Sequence, residues 1–306
     1  MIARVHKSLT NLPSDAKGCV VAIGNFDGVH QGHQALICRA RDKAMELGAP
    51  VGVLTFEPHP RAFFDPNQAP FRLTAENLKT AYMASQGVDH IFVAEFNAAF
   101  AALSAQSFVD EVLVRDLAVA HVVVGADYRF GSRRHGDIAL LRALGKAGGF
   151  GVSEVAPVMD RHGLVYSSTR ARAALRDGMP NLAREIMSRT WELHGRAEHF
   201  EDGVVSIAFD GHQRPLPGMY VVRVDISDPH TGKVVETVQT LAWHYAARFD
   251  GENELYISFD TDAIVGKRLR VQFLDYVEAG RLDYVGTNWA YPTEKPDLPV
   301  LDTGWL

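Results

Sequence analysis

The hydrophobic pattern changes period near Trp191, and that change limits the chain to two kinds of domain in series. Before it, short β-rich runs alternate with helical patterns. Residues 19–23 read as a strand ending at Gly24, and residues 32–47 as a helix stopped by Gly48. Residues 51–56 are a second apolar strand, 74–87 a mostly helical stretch and 91–93 a short strand. Residues 107–116 read as helix, 121–124 as a strand closed by Gly125, 132–145 as helix, 152–158 as strand and 168–177 as helix. Strands alternating with helices imply βαβ units around a parallel sheet. Ligands on such a sheet gather at the carboxyl ends of its strands.

After Trp191 the pattern is alternation and turns. Strands are expected over 204–209, 219–226, 233–243, 254–259 and 269–273. Asp210-Gly211, Pro217-Gly218, Thr231-Gly232 and Asp250-Gly251 punctuate them. That spacing predicts an antiparallel barrel or sandwich. A length of 306 residues suits two domains. The boundaries expected are 1–187 for the α/β domain and 188–306 for the barrel.

Composition excludes several classes. Hydrophobic residues at 47% and charged residues at 22% are ordinary for a soluble globular chain. A net charge of -6 argues against a nucleic-acid partner, which calls for a basic stripe. Cys19 and Cys38 form neither a CxxC pair nor a Cys/His cluster, so neither a disulfide framework nor a zinc site is expected. The first residues lack an apolar run of signal-peptide length. No segment approaches the roughly 18 apolar residues of a membrane span. The expectation is a cytoplasmic protein with no membrane partner. Oligomeric state stays open, a homo-oligomer included.

The chemistry concentrates in Gly24-Asn25-Phe26-Asp27-Gly28-Val29-His30-Gln31-Gly32-His33, which follows a strand and opens a helix. Glycines let a backbone approach a ligand closely. The helix start offers N–H groups and the positive end of its dipole, which suit phosphates. Two histidines three apart can face one phosphate and stabilise charge building on it during transfer. A glycine-bearing turn with two surface histidines is the bland alternative, and the strand-before, helix-after context disfavours it.

That string resembles the FMN adenylyltransferase module of prokaryotic FAD synthetases, the bifunctional riboflavin kinase/FAD synthetase family, within the HxGH nucleotidylyltransferases. Three further stretches match in order. Thr55-Phe56-Glu57-Pro58-His59-Pro60 resembles the family's TFxPHP, Val124-Gly125-Ala126-Asp127-Tyr128-Arg129-Phe130-Gly131 its VGxDFRFG, and Ser167-Ser168-Thr169-Arg170-Ala171-Arg172 its SSTxIR. The resemblance implies a Rossmann-like nucleotidyltransferase domain followed by a kinase-like β-barrel, with ATP and FMN as substrates and Mg²⁺ as cofactor. It implies ATP contacts from Gly24, Asn25, Phe26, Asp27, Gly28, His30, His33, Ser168, Thr169 and Arg172, with His30, His33 and Arg172 catalytic. It implies flavin contacts from Phe56, His59, Pro60, Asp127 and Arg129. Metal ligands are left unassigned.

Each of these residues has a physical reading of its own. Ser168 and Thr169 suit helix capping and phosphate binding alike. Arg172 is a planar cation suited to phosphate oxygens, or an exposed helical arginine. Asp127 reads as a partner for Mg²⁺ through water, for a ribose or for a flavin group, or as a turn aspartate. Arg129, Arg133 and Arg134 read as a phosphate-facing cluster or a solvated loop. His59, between prolines, reads as a flavin neighbour or a stiff turn.

The second half departs from the family. Its GRxLGFPTAN string, whose Thr and Asn hold metal and ATP, is replaced by Gly195-Arg196-Ala197-Glu198-His199-Phe200 and then Val204-Val205-Ser206-Ile207-Ala208-Phe209. No PTAN appears, and Pro292-Thr293 is misplaced for it. Pro217-Gly218-Met219-Tyr220 still resembles the family's PxxGVY. Aligned on Phe259, Asn253 falls where the family has its glutamate base, with Glu254 one residue away. Without the Thr/Asn pair, phosphoryl transfer is expected to fail. The expected activity is transfer of AMP from ATP to FMN, giving FAD and pyrophosphate, beside a degenerate barrel serving as scaffold, oligomerisation surface or flavin sensor. The alternatives are a bifunctional enzyme that also phosphorylates riboflavin, an HxGH enzyme with another acceptor, and a non-catalytic flavin- or nucleotide-binding regulator.

Overall fold

The computed structural model describes residues 3–201, 203–208, 211–228, 231–244, 254–259 and 262–277. The turn residues Asp210, Asp250 and Gly251, Asn253, Pro292-Thr293 and the tail from Asn288 to Leu306 lie outside the described residues. The chain divides into two compact units. One is Met1–Ala171 with Ile186–Ser188, and the other is Arg172–Glu185 with Arg189–Leu306.

The elements of the first part run β1 Arg4–His6, β2 Val20–Ile23, α1 Gln31–Leu47, β3 Val51–Glu57, α2 Pro60–Phe64, α3 Glu76–Ser85, β4 His90–Glu95, α4 Ala98–Ala102 and α5 Ala105–Ser107. A π-helix over Phe108–Asp116 follows, then β5 His121–Gly125, a 3-10 turn Ser132–Arg134, α6 Ile138–Gly148, β6 Gly151–Val155, α7 Ser168–Arg176 and α8 Pro180–Met187. The strands form one sheet in the order β1-β4-β3-β2-β5-β6. Every pairing in it is parallel.

β2 is apolar throughout because both of its faces are covered. Val21 and Ile23 join Leu54, Val122 and Val124 against Phe108, Val112, Leu113 and Leu141. Val20 and Ala22 join Val53 and Ile91 against Leu36, Ile37, Ala40, Ala44 and Met83. Positions 36, 37, 40 and 44 form one stripe of α1, as helical periodicity requires. Gly48 ends the helix in the left-handed conformation at φ 63°, with its N–H on Ala44 and Met45 carbonyls. The chain leaves β2 for β3 and β4 on one side and returns to β5 on the other. The loops after β2 and β5 therefore diverge at the switch point, where a parallel sheet opens a crevice.

Differences from the sequence reading have local causes. The helix expected over 132–145 is interrupted: Asp137 accepts a hydrogen bond from Leu140 N–H and starts α6 there. β6 stops at Val155, two residues before Pro157, which has no N–H for a ladder. The helix expected over 107–116 is a π-helix.

The second part is β7 Glu192–Arg196, β8 Glu198–Glu201, β9 Val204–Ala208, β10 Gly218–Ser227, β11 Val234–His244, β12 Glu254–Ser258 and β13 Arg268–Val277. They form one antiparallel sheet in the order β7-β13-β10-β11-β12-β9-β8. A Cβ on Gly195 of β7 would stand 3.0 Å from the Ile207 Cβ of β9, so the sheet curls until these strands meet. Trp191, Leu193, Val222, Val224, Ile257, Val271 and Phe273 are buried in this unit. The α/β domain with a parallel sheet and the antiparallel barrel are thus both as expected.

Candidate active site

The loop from Gly24 to His30 is held at each of its turns by the chain around it. Gly24 N–H donates to the Leu54 carbonyl of β3. The Asn25 carbonyl accepts from Thr55 Oγ1 at 3.0 Å. Phe26 is fully buried against the α1 side of the sheet. Asp27, 3% exposed, accepts from Leu73 N–H with both carboxylate oxygens and from Thr74 N–H with Oδ1. Its backbone carbonyl accepts from Ser168 Oγ at 2.7 Å. The first turn of α7 is thereby tied to the loop after β2.

Three loop residues have positive φ: Phe26 at 53°, Gly28 at 84° and Val29 at 39°. For a buried aromatic and a β-branched residue this is a sparsely populated conformation, and such strain persists only where neighbours enforce it. Gly28 could not be replaced without conflict, since a Cβ there would lie 2.8 Å from Leu73 Cδ1.

His30 stands at the N-cap position of α1 in an extended conformation, and its side chain makes no capping hydrogen bond. Its ring stacks on His33 with centroids 3.7 Å apart and planes 28° apart. His33 in turn lies 4.9 Å from the Phe26 ring. Gln34 braces the turn from below, with Nε2 donating to the Val29 carbonyl at 2.9 Å and the Met187 carbonyl at 3.2 Å. The two imidazoles therefore form one plate at the positive end of a 17-residue helix.

Gly32 explains the small residue in HxGH. A Cβ there would come within 3.0 Å of His30 Cε1 and 3.2 Å of the Tyr166 carbonyl oxygen. Gly32→Ala is expected to lower turnover about tenfold by displacing the His30 ring. Thermal stability is expected to change by no more than about 1 kcal/mol, because the helix preference of alanine over glycine opposes the crowding against His30 and the Tyr166 carbonyl. Paired melting and rate measurements check this.

The other residues singled out in the sequence are placed as follows. Ser168 is half-buried and Thr169 exposed in the first turn of α7, and Arg172 is buried in the next turn of that helix. Arg172 belongs to the second compact unit. Phe56 sits in an aromatic chain, 6.0 Å from Phe96 and 5.8 Å from Phe100. His59 caps α2: its Nδ1 accepts from Arg61 N–H at 3.1 Å, and its ring stands edge-on to Phe71. Pro60 is the first residue of that helix. Asp127 and Arg129 are exposed in the loop after β5, where Arg129 pairs with Asp137 at 3.5 Å.

Sequence reasoning passed over a charged cluster behind the loop. Lys79 of α3 is 3% exposed. Its Nζ lies 2.5 Å from Glu57 Oε1 and 3.3 Å from Thr55 Oγ1. Arg72 pairs with the other oxygen of Glu57. Burial and the Arg72 guanidinium lower the Lys79 pKa to about 8. The available signal was helical phase: Lys79 precedes the buried Met83 by one turn and shares its face.

Among the described residues no group of three or more His, Cys, Asp or Glu could hold a metal ion. A Mg²⁺ site built by side chains alone does not fit these residues. Mg²⁺ keeps several waters and commonly binds through substrate phosphates.

The chain is similar to several known proteins. The family model described as FAD synthetase matches residues 12–170. A bifunctional riboflavin kinase/FMN adenylyltransferase of Pseudomonas fluorescens is 40% identical over 227 residues, covering 72% of this chain and 72% of that protein. The protein of the same description from Escherichia coli (strain K12) is 37% identical over 231 residues, covering 73% and 72%. Among solved structures, one described as a macrolide-efflux protein from Streptococcus pneumoniae aligns with a TM-score of 0.77 at 26% identity, over 93% of this chain and 94% of that one. Among the described residues no helix is long and apolar enough to cross a membrane. The matched segment holds every strand of the parallel sheet except β1, together with the loop that carries His30 and His33 and the start of α7 that carries Ser168, and on that ground the chain belongs to the FAD synthetase family.

Proposed function

We propose that this chain adenylylates FMN: an FMN phosphate oxygen attacks the α-phosphorus of ATP, the bond to the β-phosphate breaks, and FAD and pyrophosphate leave. The observation that carries this reading is the stacked His30–His33 pair at the start of α1, at the switch point of the sheet. Two ring edges aimed with a helix N-terminus suit charge that develops on transferring phosphoryl oxygens. The nucleotide lies along Gly24 to His33 in this reading. Ser168, Thr169 and Arg172 hold its β/γ end, and the half-buried Phe56 and Pro60 and the buried His59, with Asp127 and Arg129, meet the flavin. No covalent intermediate on the protein is needed. Mg²⁺ accompanies ATP and screens its phosphates, and no step is assigned to it. Residues 1–187 carry this activity.

The barrel of residues 188–306 does not phosphorylate riboflavin in this reading, although relatives of this chain are described as bifunctional. Where the family has its metal-holding Thr and Asn, β8 (Glu198–Glu201) pairs antiparallel with β9 (Val204–Ala208), and neither strand carries a Thr or an Asn. Positioning Mg²⁺ and ATP is most of phosphoryl-transfer catalysis, so the loss removes the activity.

One assay tests both claims. Protein with Mg²⁺ and ATP is given FMN or riboflavin, and flavins are separated by chromatography. FAD from FMN, with no FMN from riboflavin, is the expected result. FMN from riboflavin would return the kinase to the barrel. Flavin and nucleotide binding with no product from either would make the chain a binding regulator instead.

A further inference from the structure

Lys79 is a buried cation behind the nucleotide loop, and its surroundings leave its neighbours little freedom. An ammonium has three donors and no acceptor, and a threonine hydroxyl has a single proton. Thr55 is fully buried between Lys79 and Asn25. Lys79 Nζ, 3.3 Å from Thr55 Oγ1, can only donate to it. The Thr55 proton is then aimed at the Asn25 carbonyl, 3.0 Å away. A trans peptide points its C=O and N–H in opposite directions. Holding the Asn25 carbonyl toward β3 therefore turns the Phe26 N–H away from β3.

Glu57 fixes Lys79 from the other side, and Arg72 fixes Glu57. The arrangement reaches the loop twice. Arg72 precedes Leu73 and Thr74, whose N–H groups hold the Asp27 carboxylate. Acidic and basic groups thus alternate behind a single turn of the loop.

We infer that Lys79, acting through the Thr55 hydroxyl, is a positioning residue that sets the orientation of the Asn25–Phe26 peptide in the nucleotide loop. The inference rests on the reading that this loop binds ATP. It assigns Lys79 no contact with substrate. Deprotonation would undo the relay, because a neutral amine can accept the Thr55 proton and draw it from Asn25. The charged groups facing Lys79 are Glu57 of β3, Arg72 of the preceding loop, Asp27 of the nucleotide loop and Glu76 in the first turn of α3. Burial and Arg72 outweigh the acids and leave the ammonium to titrate near pH 8. The relay is intact below that pH and lost above it.

The test compares wild type with Thr55→Val, Thr55→Ser and Lys79→Met. Steady-state FAD formation is followed at several pH values, and ATP dissociation constants are measured by calorimetry on the same proteins. Thr55→Val leaves the Lys79–Glu57 pair in place, so it probes the relay even if Lys79→Met does not fold. Loss of one charge-assisted contact predicts an ATP KM and Kd about tenfold higher in Thr55→Val and Lys79→Met, with KM for FMN within about twofold of wild type. Thr55→Ser restores the hydroxyl and should bind ATP as wild type does. In wild type the ATP KM should climb as pH rises through about 8, and in Lys79→Met that climb should vanish. The inference is overturned if Thr55→Val binds ATP normally, if both KM values rise together, or if the pH dependence survives in Lys79→Met. Absence of FAD in the wild-type assay would instead sink the adenylyltransferase reading, and the ATP dissociation constants would still decide the role of Lys79.

Discussion

Replacing His30 or His33 with alanine is expected to lower kcat for FAD formation by about 10²–10³-fold, the usual cost of removing one preorganised donor from a transition state. The two rings are stacked 3.7 Å apart, so neither is placed independently. Groups that act as a unit are non-additive, and the double variant should be little worse than the poorer single one. The residues differ in what else they support. His33 also touches the Phe26 ring, so His33→Ala should raise the ATP KM more than His30→Ala does. His30 is 8% exposed at the N-cap and makes no side-chain cap, so its loss should leave α1 intact. Rapid-quench rates with saturating ATP and FMN, beside circular dichroism of each variant, measure both effects. Near wild-type turnover with unchanged ATP affinity in either variant would remove the histidines from the mechanism.

What the sequence revealed depended on how local the cause was. β2, β3 and β5 were legible because a strand covered on both faces needs a continuous apolar run. The stripe of α1 and its Gly48 stop were legible for the same kind of reason, since both are set by helical period and a left-handed cap. β1 was not, because three residues carry no period and Arg4–His6 is a strand only by pairing with β4. β7 and β8 escaped similarly: they are short, and Ala197 alone separates them. The candidate site divides along the same line. The HxGH plate follows from spacing on a single helix turn. The cap of α7 is Ser167, one residue before the Ser168 and Thr169 expected there: Ser167 Oγ accepts from Arg170 N–H, and Ser168 Oγ instead donates to the distant Asp27 carbonyl. The partners of Asp27 lie 46 and 47 residues away and those of Lys79 lie 22 and 24 away. No local pattern encodes such pairs. A lysine in a stretch expected to be helical therefore drew no assignment, and an aspartate inside a phosphate-type loop read as a ligand contact.

That difference makes Asp27 the residue where stability and binding are most sharply distinguishable. Its carboxylate is buried and accepts from Leu73 and Thr74 N–H groups at 3.0–3.1 Å. Hydrogen bonds to a charged group contribute about 1.5–3 kcal/mol each, and stranding a buried donor adds its desolvation cost. Asp27→Ala takes the same acceptor from two buried donors, so a loss of about 3–4 kcal/mol is expected. At about 2–4 °C per kcal/mol for a unit of this size, the adenylyltransferase domain should melt about 6–16 °C lower. Asp27→Asn can keep its carbonyl oxygen at the Oδ1 position, which takes both N–H groups, but it gives up the negative charge and turns an NH₂ toward the Leu73 N–H, so it should fall between wild type and Asp27→Ala. A residue whose main task is to touch the nucleotide would behave in the opposite way. Its asparagine variant would melt as wild type does and lose ATP affinity. Differential scanning calorimetry of the three proteins without nucleotide, followed by ATP titration below the lowest transition, separates the two. A large fall in melting temperature, with ATP affinity reduced only as far as the loosened loop demands, would place Asp27 beneath the site rather than in it.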